Sequence, residues 1–467
     1  MDYKKLGFKC GIEIHQQLET HKLFCNCPSL VNDENKTDIF FERKLRAVAG
    51  ETGDVDAAAA FEKQKDKYYK YEGCSSSCCL VEMDEEPPHN VNQDALETAL
   101  EVSLLLNAKI SNNIIFMRKT VIDGSNVSGF QRTALIATDG YIETSKGRVR
   151  IEVICLEEEA AKKLETKESY TKYKLDRLGV ALLEIATDPS IQDPEHAKEV
   201  ASIIGMILRS TGKVKRGIGT IRQDVNVSIK GKERIEIKGF QDLRYMPKVI
   251  ENEIQRQKAL NKGKKEVRKA NPDGSTTFLR PMPGAARMYP ETDIQIIKIT
   301  KEMLKEIKLP ELLDEKTLRY EKEFKINADL AKELIKQDIN FKDYTKQFPK
   351  IENTYLATVL TSFSKEIKRK ENLEIKEEHF KEVLKPLNDN KIPKNAVIDL
   401  LINIAKGKKL DLSNYKSVSD EELKKEIKKI VDKNPDVPIG GLMGDVMEHF
   451  KGKIDGQKAM KILKSLK

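Results

Sequence analysis

The feature that most constrains this chain is a change of hydrophobic period near Ile297. Before it, apolar residues recur in short runs and alternations with the two-residue period of β-strands, interrupted by helical stretches. After it, from Lys301 to about Gly407, the pattern is helical throughout and rich in Lys and Glu. At 467 residues the chain is too long for one core. The expected fold is α+β. A mostly antiparallel-sheet domain covers residues 1–297, an all-helical domain 298–407, and a small helical tail 408–467.

Within the first part, strands are expected at Gly11–Leu18, Ile114–Met117, Ala134–Ala137, Val149–Leu156, Ala181–Ile185, Asp224–Ile229 and Arg234–Lys238. Helices are expected from a cap at Asp54 to about Tyr71, from Asp94, from Asp193-Pro194 to near Gly212, and from Pro247 to about Leu260. Asp193-Pro194 is the clearest start, a capping acid followed by proline at the first helical position. The tail is punctuated by Pro435, Pro438, Gly440 and Gly441, and its last helix begins near Asp455.

Charged residues make up 34% and no apolar run approaches membrane-spanning length. The start, Met1 to Lys5, leads towards a strand and has no signal-peptide core. Seven cysteines, an odd number without a regular framework, suit a reducing cytoplasm. The formal charge of +8 permits an anionic partner such as RNA without requiring one.

Four constellations carry chemistry. In Gly11-Ile-Glu-Ile-His-Gln-Gln-Leu18 the isoleucines point to one face, Glu13 and His15 to the other. Glu157 ends a strand, and Glu236 stands in Arg234-Ile-Glu-Ile-Lys238 opposite its isoleucines. Three carboxylates and an imidazole suit Mg²⁺ or Mn²⁺ better than a closed zinc site. Plain charge on exposed strand faces gives the same pattern, and that reading fits Glu158, Glu159 and Glu233 well. Two glycine-bounded loops come second, Asp123 to Gln131 and Gly217-Ile218-Gly219-Thr220. Their backbone amides could cradle phosphate, though neither is a Walker loop, and each could be an ordinary turn. Third, Cys25, Cys27, Cys74 and Cys78, with Cys79 beside them, could supply four thiolates to structural zinc, or be free thiols. Fourth, Arg280 to Asp293 is a rigid loop with three prolines and two arginines, suited to an anionic substrate.

Taken together, these segments, with Asp84–His89, Asp176–Gly179 and Arg222–Asn226, resemble the glutamyl-tRNA(Gln) amidotransferase family in its B and E types. Gln16-Gln17 and the Gly129-Phe130-Gln131 triplet favour the archaeal E type. The resemblance implies a cradle-shaped catalytic domain, a helical domain and an RNA-binding tail. It also implies that ATP phosphorylates the γ-carboxylate of glutamate mischarged on tRNA(Gln), and that ammonia then displaces the phosphate. By matching motifs, Glu13, His15, Glu157 and Glu236 would hold Mg²⁺, and Ser125, Asn126, Arg177 and Arg287 would bind nucleotide or the glutamyl end. The implied partners are Glu-tRNA(Gln) and an asparaginase-like glutaminase of the D type, in a heterodimer or heterotetramer.

Two departures stand out. The E type usually carries an inserted domain resembling part of aspartyl-tRNA synthetase, whereas here only Lys258 to Leu279 bridge that gap. This moves the chain towards the B type, which works with an amidase and a small third protein. The cysteine spacing also differs from the zinc pattern of some B-type relatives. No cysteine has the helix-opening or His-paired context of a glutaminase nucleophile, and the serine loop lacks a lysine partner. Ammonia must therefore come from elsewhere. A rival reading, a tRNA-binding chaperone without catalysis, leaves Glu13, His15, Glu157 and Glu236 without a reason.

Overall fold

In the computed structural model Lys9–Gln17 is a strand near the middle of a large sheet. The structure describes residues 1–30, 37–47, 53, 55–240, 242–282, 288–412, 420–434, 437–450 and 456–466. Contacts divide the chain into two units, Met1–Leu312 and Leu313–Lys467. Across the sheet the strands run Thr276–Pro281, Glu266–Ala270, Ile235–Phe240, Ile221–Ser228, Lys9–Gln17, Ala181–Thr187, Gly147–Glu158, Phe130–Thr144, Phe116–Thr120, Met288–Pro290. Neighbours are antiparallel except Ile235–Phe240 with Glu266–Ala270, which are parallel. Helices and strands together make the α+β fold.

The alternation of the first strand decides which way the sheet faces. Ile12 and Ile14 are 1% and 0% exposed and enter one continuous core. Helices Gln93–Leu105, Pro194–Ser210 and Met246–Ala259 supply the other side of that core through Leu96, Val200, Ile204 and Ile250. Asp193 caps its helix by accepting from the His196 amide at 2.9 Å, a contact of about 1 kcal/mol. That helix ends where Gly212 takes φ +69°. Glu13 and His15 of the first strand are left on the opposite face.

The helix expected up to Tyr71 is much shorter. Asp54 lies outside the described residues, and Asp56 caps Ala57–Lys63 by accepting from the Ala58 and Ala59 amides. Asp66 turns the chain at φ +44°, and Tyr68–Gly73 is a strand with Tyr69 and Tyr71 buried. It belongs to a second sheet ordered Ile39–Arg43, Tyr68–Gly73, Tyr170–Lys174, Lys162–Thr166. Tyrosines two apart fit a pleated surface, where Tyr71 stacks on Tyr173 with centroids 6.1 Å apart. The bridge Lys258–Leu279 also adopts a strand pattern. Asn271–Ser275 turns it, and Glu266–Ala270 with Thr276–Pro281 extends the main sheet to its edge.

The second unit is helical. Leu313–Phe324, Ala328–Lys336, Phe341–Gln347, Glu377–Asn388 and Val397–Ala405 are among the helices that share a core through Leu334, Phe341, Leu356, Leu384 and Leu401. Asp420–Lys433, Ile439–Phe450 and Gly456–Leu466 close a separate cluster around Ile427, Leu442, Val446 and Leu463. Among the described residues no helix is long and apolar enough to cross a membrane.

Candidate active site

Register brings the acids together. Glu13 lies opposite Asp224 on one neighbouring strand, and His15 lies opposite Glu184 on the other. His15 Nε2 is 3.3 Å from Glu13 Oε1 and 3.4 Å from Glu184 Oε2. One ligand atom from each of the three lies within 4.8 Å of the other two, an arrangement that could hold a hard divalent cation.

The other two expected acids sit beside this group, each through a lysine. Lys119 Nζ is 2.8 Å from Glu157 and 3.7 Å from Glu184. Lys238 Nζ is 2.5 Å from both Glu236 and Asp224. Glu157 and Glu236 are therefore not in the tight trio, whose third member is Glu184. Gln131 donates to Glu157 at 3.1 Å, so the serine loop reaches the acids through its last residue.

Burial and crowding set the charges. Burial, then the neighbouring Glu184, pushes the Glu13 carboxyl up to about 7. Burial and then Glu184 also raise Glu157. Burial alone would raise Glu184 too, but Lys119 and then His15 hold it well below the carboxylate range. Burial alone would lower His15, but the hydrogen bond and charge of Glu184, together with the charges of Glu13 and Asp224, outweigh that and raise the imidazole to about 9. Asp224 and Glu236 likewise hold Lys238 protonated against its burial. The site is thus poised at neutral pH with fixed cations beside acids of unequal affinity for protons.

Sequence reasoning missed Glu184, Asp224, Lys119 and Lys238. A signal existed for Glu184: it is the one acid in the Ala-Leu-Leu-Glu-Ile-Ala-Thr strand, on the face opposite buried Leu183 and Ile185. Asp224 similarly opposes the side of Val225 and Val227.

The binding candidates diverge. Ser125 donates its hydroxyl to Asp123 at 2.6 Å. Arg177 holds the Ala160 and Ala161 carbonyls at 2.8 and 2.9 Å, so it braces the chain after the Glu157 strand. Asn126 is 2% exposed and its Nδ2 is buried with no hydrogen-bond partner among the described residues. It lines a small cavity with Phe24, Glu82, Arg132 and Glu158. Arg287 lies outside the described residues. The described end of its loop is anchored by Glu291, which accepts from Arg118 at 2.5 Å and Arg132 at 2.7 Å.

The cysteine set needs correction. Cys25 and Cys27 gather with Cys79 and Glu82, not with Cys74 and Cys78, and these four ligand atoms lie within 4.8 Å of one another. Cys74 Sγ faces Ser76 Oγ at 3.0 Å instead, and buried Cys78 points to Lys22 and Asp176 at 4.0 Å. The turn after Cys78 is responsible: the Cys79 amide donates to Glu82 at 2.7 Å, which swings both towards Cys25. Three sulfurs and a carboxylate are a donor set that fits tetrahedral zinc. Fully buried Lys22, 3.4 Å from Glu82, would offset part of its negative charge.

A face of acids, imidazole and lysines on an α+β sheet, joined to a helical unit, has close counterparts among known proteins. A family model for the GatB/GatE catalytic domain matches residues 8–305, and one for the GatB domain matches 338–466. The E-type subunit of glutamyl-tRNA(Gln) amidotransferase from Methanococcus maripaludis is 38% identical, over 98% of this chain and 97% of its own. Its namesakes from Methanocaldococcus jannaschii and Methanosarcina acetivorans are each 36% identical over 99% of this chain, covering 99% and 98% of theirs. The chain belongs to the GatB/GatE family. It is a tRNA-dependent amidotransferase subunit of the E type, a ligase of translation. It is also a short one: the first alignment runs over 616 positions against 467 residues here, so the relative has stretches without a counterpart.

Proposed function

We propose that this chain converts Glu-tRNA(Gln) to Gln-tRNA(Gln) in the cytoplasm through a γ-phosphoryl-glutamyl intermediate. The convergence of Glu13, His15 and Glu184, with Glu157, Asp224 and Glu236 around them, is the observation that carries the reading. The γ-carboxylate attacks the terminal phosphorus of ATP and ADP leaves. Ammonia then attacks the activated carbonyl, and phosphate leaves with the bonding pair. A carboxylate is already nucleophilic, so the barrier lies in bringing it to a triphosphate. Mg²⁺ held by Glu13 and Glu184, and by His15 once it gives up the proton that the acids hold on it, with Glu157 and Glu236 nearby, would offset that repulsion. Lys119 and Lys238 keep the acids compact and present fixed positive charge. Asn126 offers a buried amide donor to nucleotide or the glutamyl end, and Arg287 stays a candidate through its motif.

Ammonia would come from an asparaginase-like glutaminase partner, in a heterodimer or heterotetramer, since ammonium at neutral pH holds its proton. Zinc on Cys25, Cys27, Cys79 and Glu82 would tie the segment after the first strand to the 74–82 turn. The test is ATP cleavage stimulated by Glu-tRNA(Gln), and amide formation driven by ammonium salt without a partner. Glu157→Gln, Glu184→Gln and Glu236→Gln should each lower the stimulated rate at least a hundredfold with tRNA affinity unchanged (~3 kcal/mol of barrier). Near-normal turnover in all three would remove these residues from the site. Glutamine-driven amidation by the purified single chain would sink the division of labour.

A further inference from the structure

We infer that the loop Lys213–Thr220 is a finger that positions the 3′-terminal nucleotide of the charged tRNA, with Ile218 as its apolar tip; this rests on the reading of Glu-tRNA(Gln) as substrate. Ile218 is 96% exposed. A lone exposed aliphatic needs no explanation by itself, but this one stands on a built loop.

Gly217 and Gly219, at φ +124° and +83°, flank Ile218 and hold it at the apex, conformations that other residues rarely adopt. The loop's root is clamped from the catalytic strand. The buried Gln16 amide donates to the Gln17, Lys215 and Thr220 carbonyls at 2.9, 3.0 and 3.2 Å. Thr220 Oγ1 closes onto the Gly217 carbonyl at 2.9 Å, and Lys215 N reaches the Gln17 carbonyl at 3.0 Å. A mobile turn would not need a buried glutamine next to His15 to shape it.

Charge says what the finger meets. Lys213, Lys215, Arg216 and Arg222 lie within ten residues that contain no acid. Lys213 is tied to Glu101, Lys215 to the Ser29 carbonyl and Arg222 to Glu159, while Arg216 is exposed next to the tip. Exposed Arg216 beside an apolar tip fits a nucleotide, phosphate to the guanidinium and base to the aliphatic group.

Distance agrees. Arg222 lies opposite His15, and Ile218 is four residues further along, at most about 14 Å by extended-chain reach. In a glutamyl ester of a terminal nucleotide the γ-carboxyl and the base are separated by roughly 10 Å of covalent chain. The two lengths are of the same order, so a carboxyl reacting at the acids and a terminal base meeting Ile218 are compatible.

The experiment uses the full chain, Ile218→Ser and Ile218→Met, with ammonium as nitrogen donor. Ile218→Ser should raise the KM for Glu-tRNA(Gln), and the Kd for intact tRNA(Gln), about five- to tenfold, as expected for an aliphatic group partly buried on binding. Its kcat should stay within about twofold, Ile218→Met should restore binding, and tRNA lacking the terminal nucleotide should bind wild type and Ile218→Ser alike. Unchanged Kd for intact tRNA, or equal weakening of the shortened tRNA, would overturn the assignment. So would a defect confined to glutamine-driven turnover with a partner protein, which would make Ile218 an assembly contact. If wild type binds tRNA(Gln) yet forms no Gln-tRNA, the substrate reading fails, and the Kd comparison still decides the finger.

Discussion

Glu13 and His15 were legible because a two-residue alternation places both on one face, and burial of Ile12 and Ile14 fixes which face that is. Glu184 was not, because its partner His15 is about 170 residues away and register is a property of the folded sheet. Glu291 shows the same limit. Its sequence context is a loop suited to an anionic substrate, yet it is the acid that holds Arg118 and Arg132. Burial alone would raise its carboxyl, but the Arg118 hydrogen bond and then the other donors lower it to about 2. A depressed carboxyl stabilises fully above its unfolded value of 4.5, and that contribution is lost as pH falls through 2. Thermal unfolding midpoints between pH 5 and pH 2 should therefore fall more steeply for wild type than for Glu291→Gln. Parallel curves would remove Glu291 from the acid response.

Among elements, those with a strong local signal were found close to their true bounds. Asp193-Pro194 opened its helix as expected, and the strands around Glu157 and Glu236 are present, if longer. The helix run through to Tyr71 failed because periodicity over Ala57–Lys63 was extended into tyrosines whose own period is two. The cysteines failed differently: spacing alone could not tell Cys78 from Cys79, because one turn sends adjacent side chains to opposite sides. Metal content separates the two sets. Cys79→Ser should lose most bound zinc, and its cobalt-substituted form the sulfur charge-transfer absorption, while Cys74→Ser keeps both. The reverse result would restore the four-cysteine set.

For the whole molecule, the switch of period near Ile297 separated a sheet-rich region from a helical one, and the contacts divide at Leu312. An RNA-binding tail would present its lysines to phosphate. Lys461 and Lys464 lie on the final helix, Lys453 and Lys467 are outside the described residues, and the side chain of Lys458 is not described. Deleting residues after Asn434 should raise the KM for Glu-tRNA(Gln) several-fold and change kcat at saturating tRNA less. Because the deletion also strips Leu442 and Leu463 from Ile427, Lys461→Glu with Lys464→Glu is the cleaner form. Unchanged tRNA affinity in that double variant counts against an RNA-binding tail.

The central place of Lys9–Gln17 has a consequence during synthesis. Its partners are Ala181–Thr187 and Ile221–Ser228, with Lys9 opposite Ser228. Among the described strands of the main sheet it is therefore the one that waits longest for its second neighbour. At about 5–20 residues per second it waits roughly ten to forty seconds with an apolar strand unpaired. The nascent chain must be shielded over that interval. The face that carries Glu13 and His15 is thus completed only once Ser228 has been added, more than two hundred residues after Lys9.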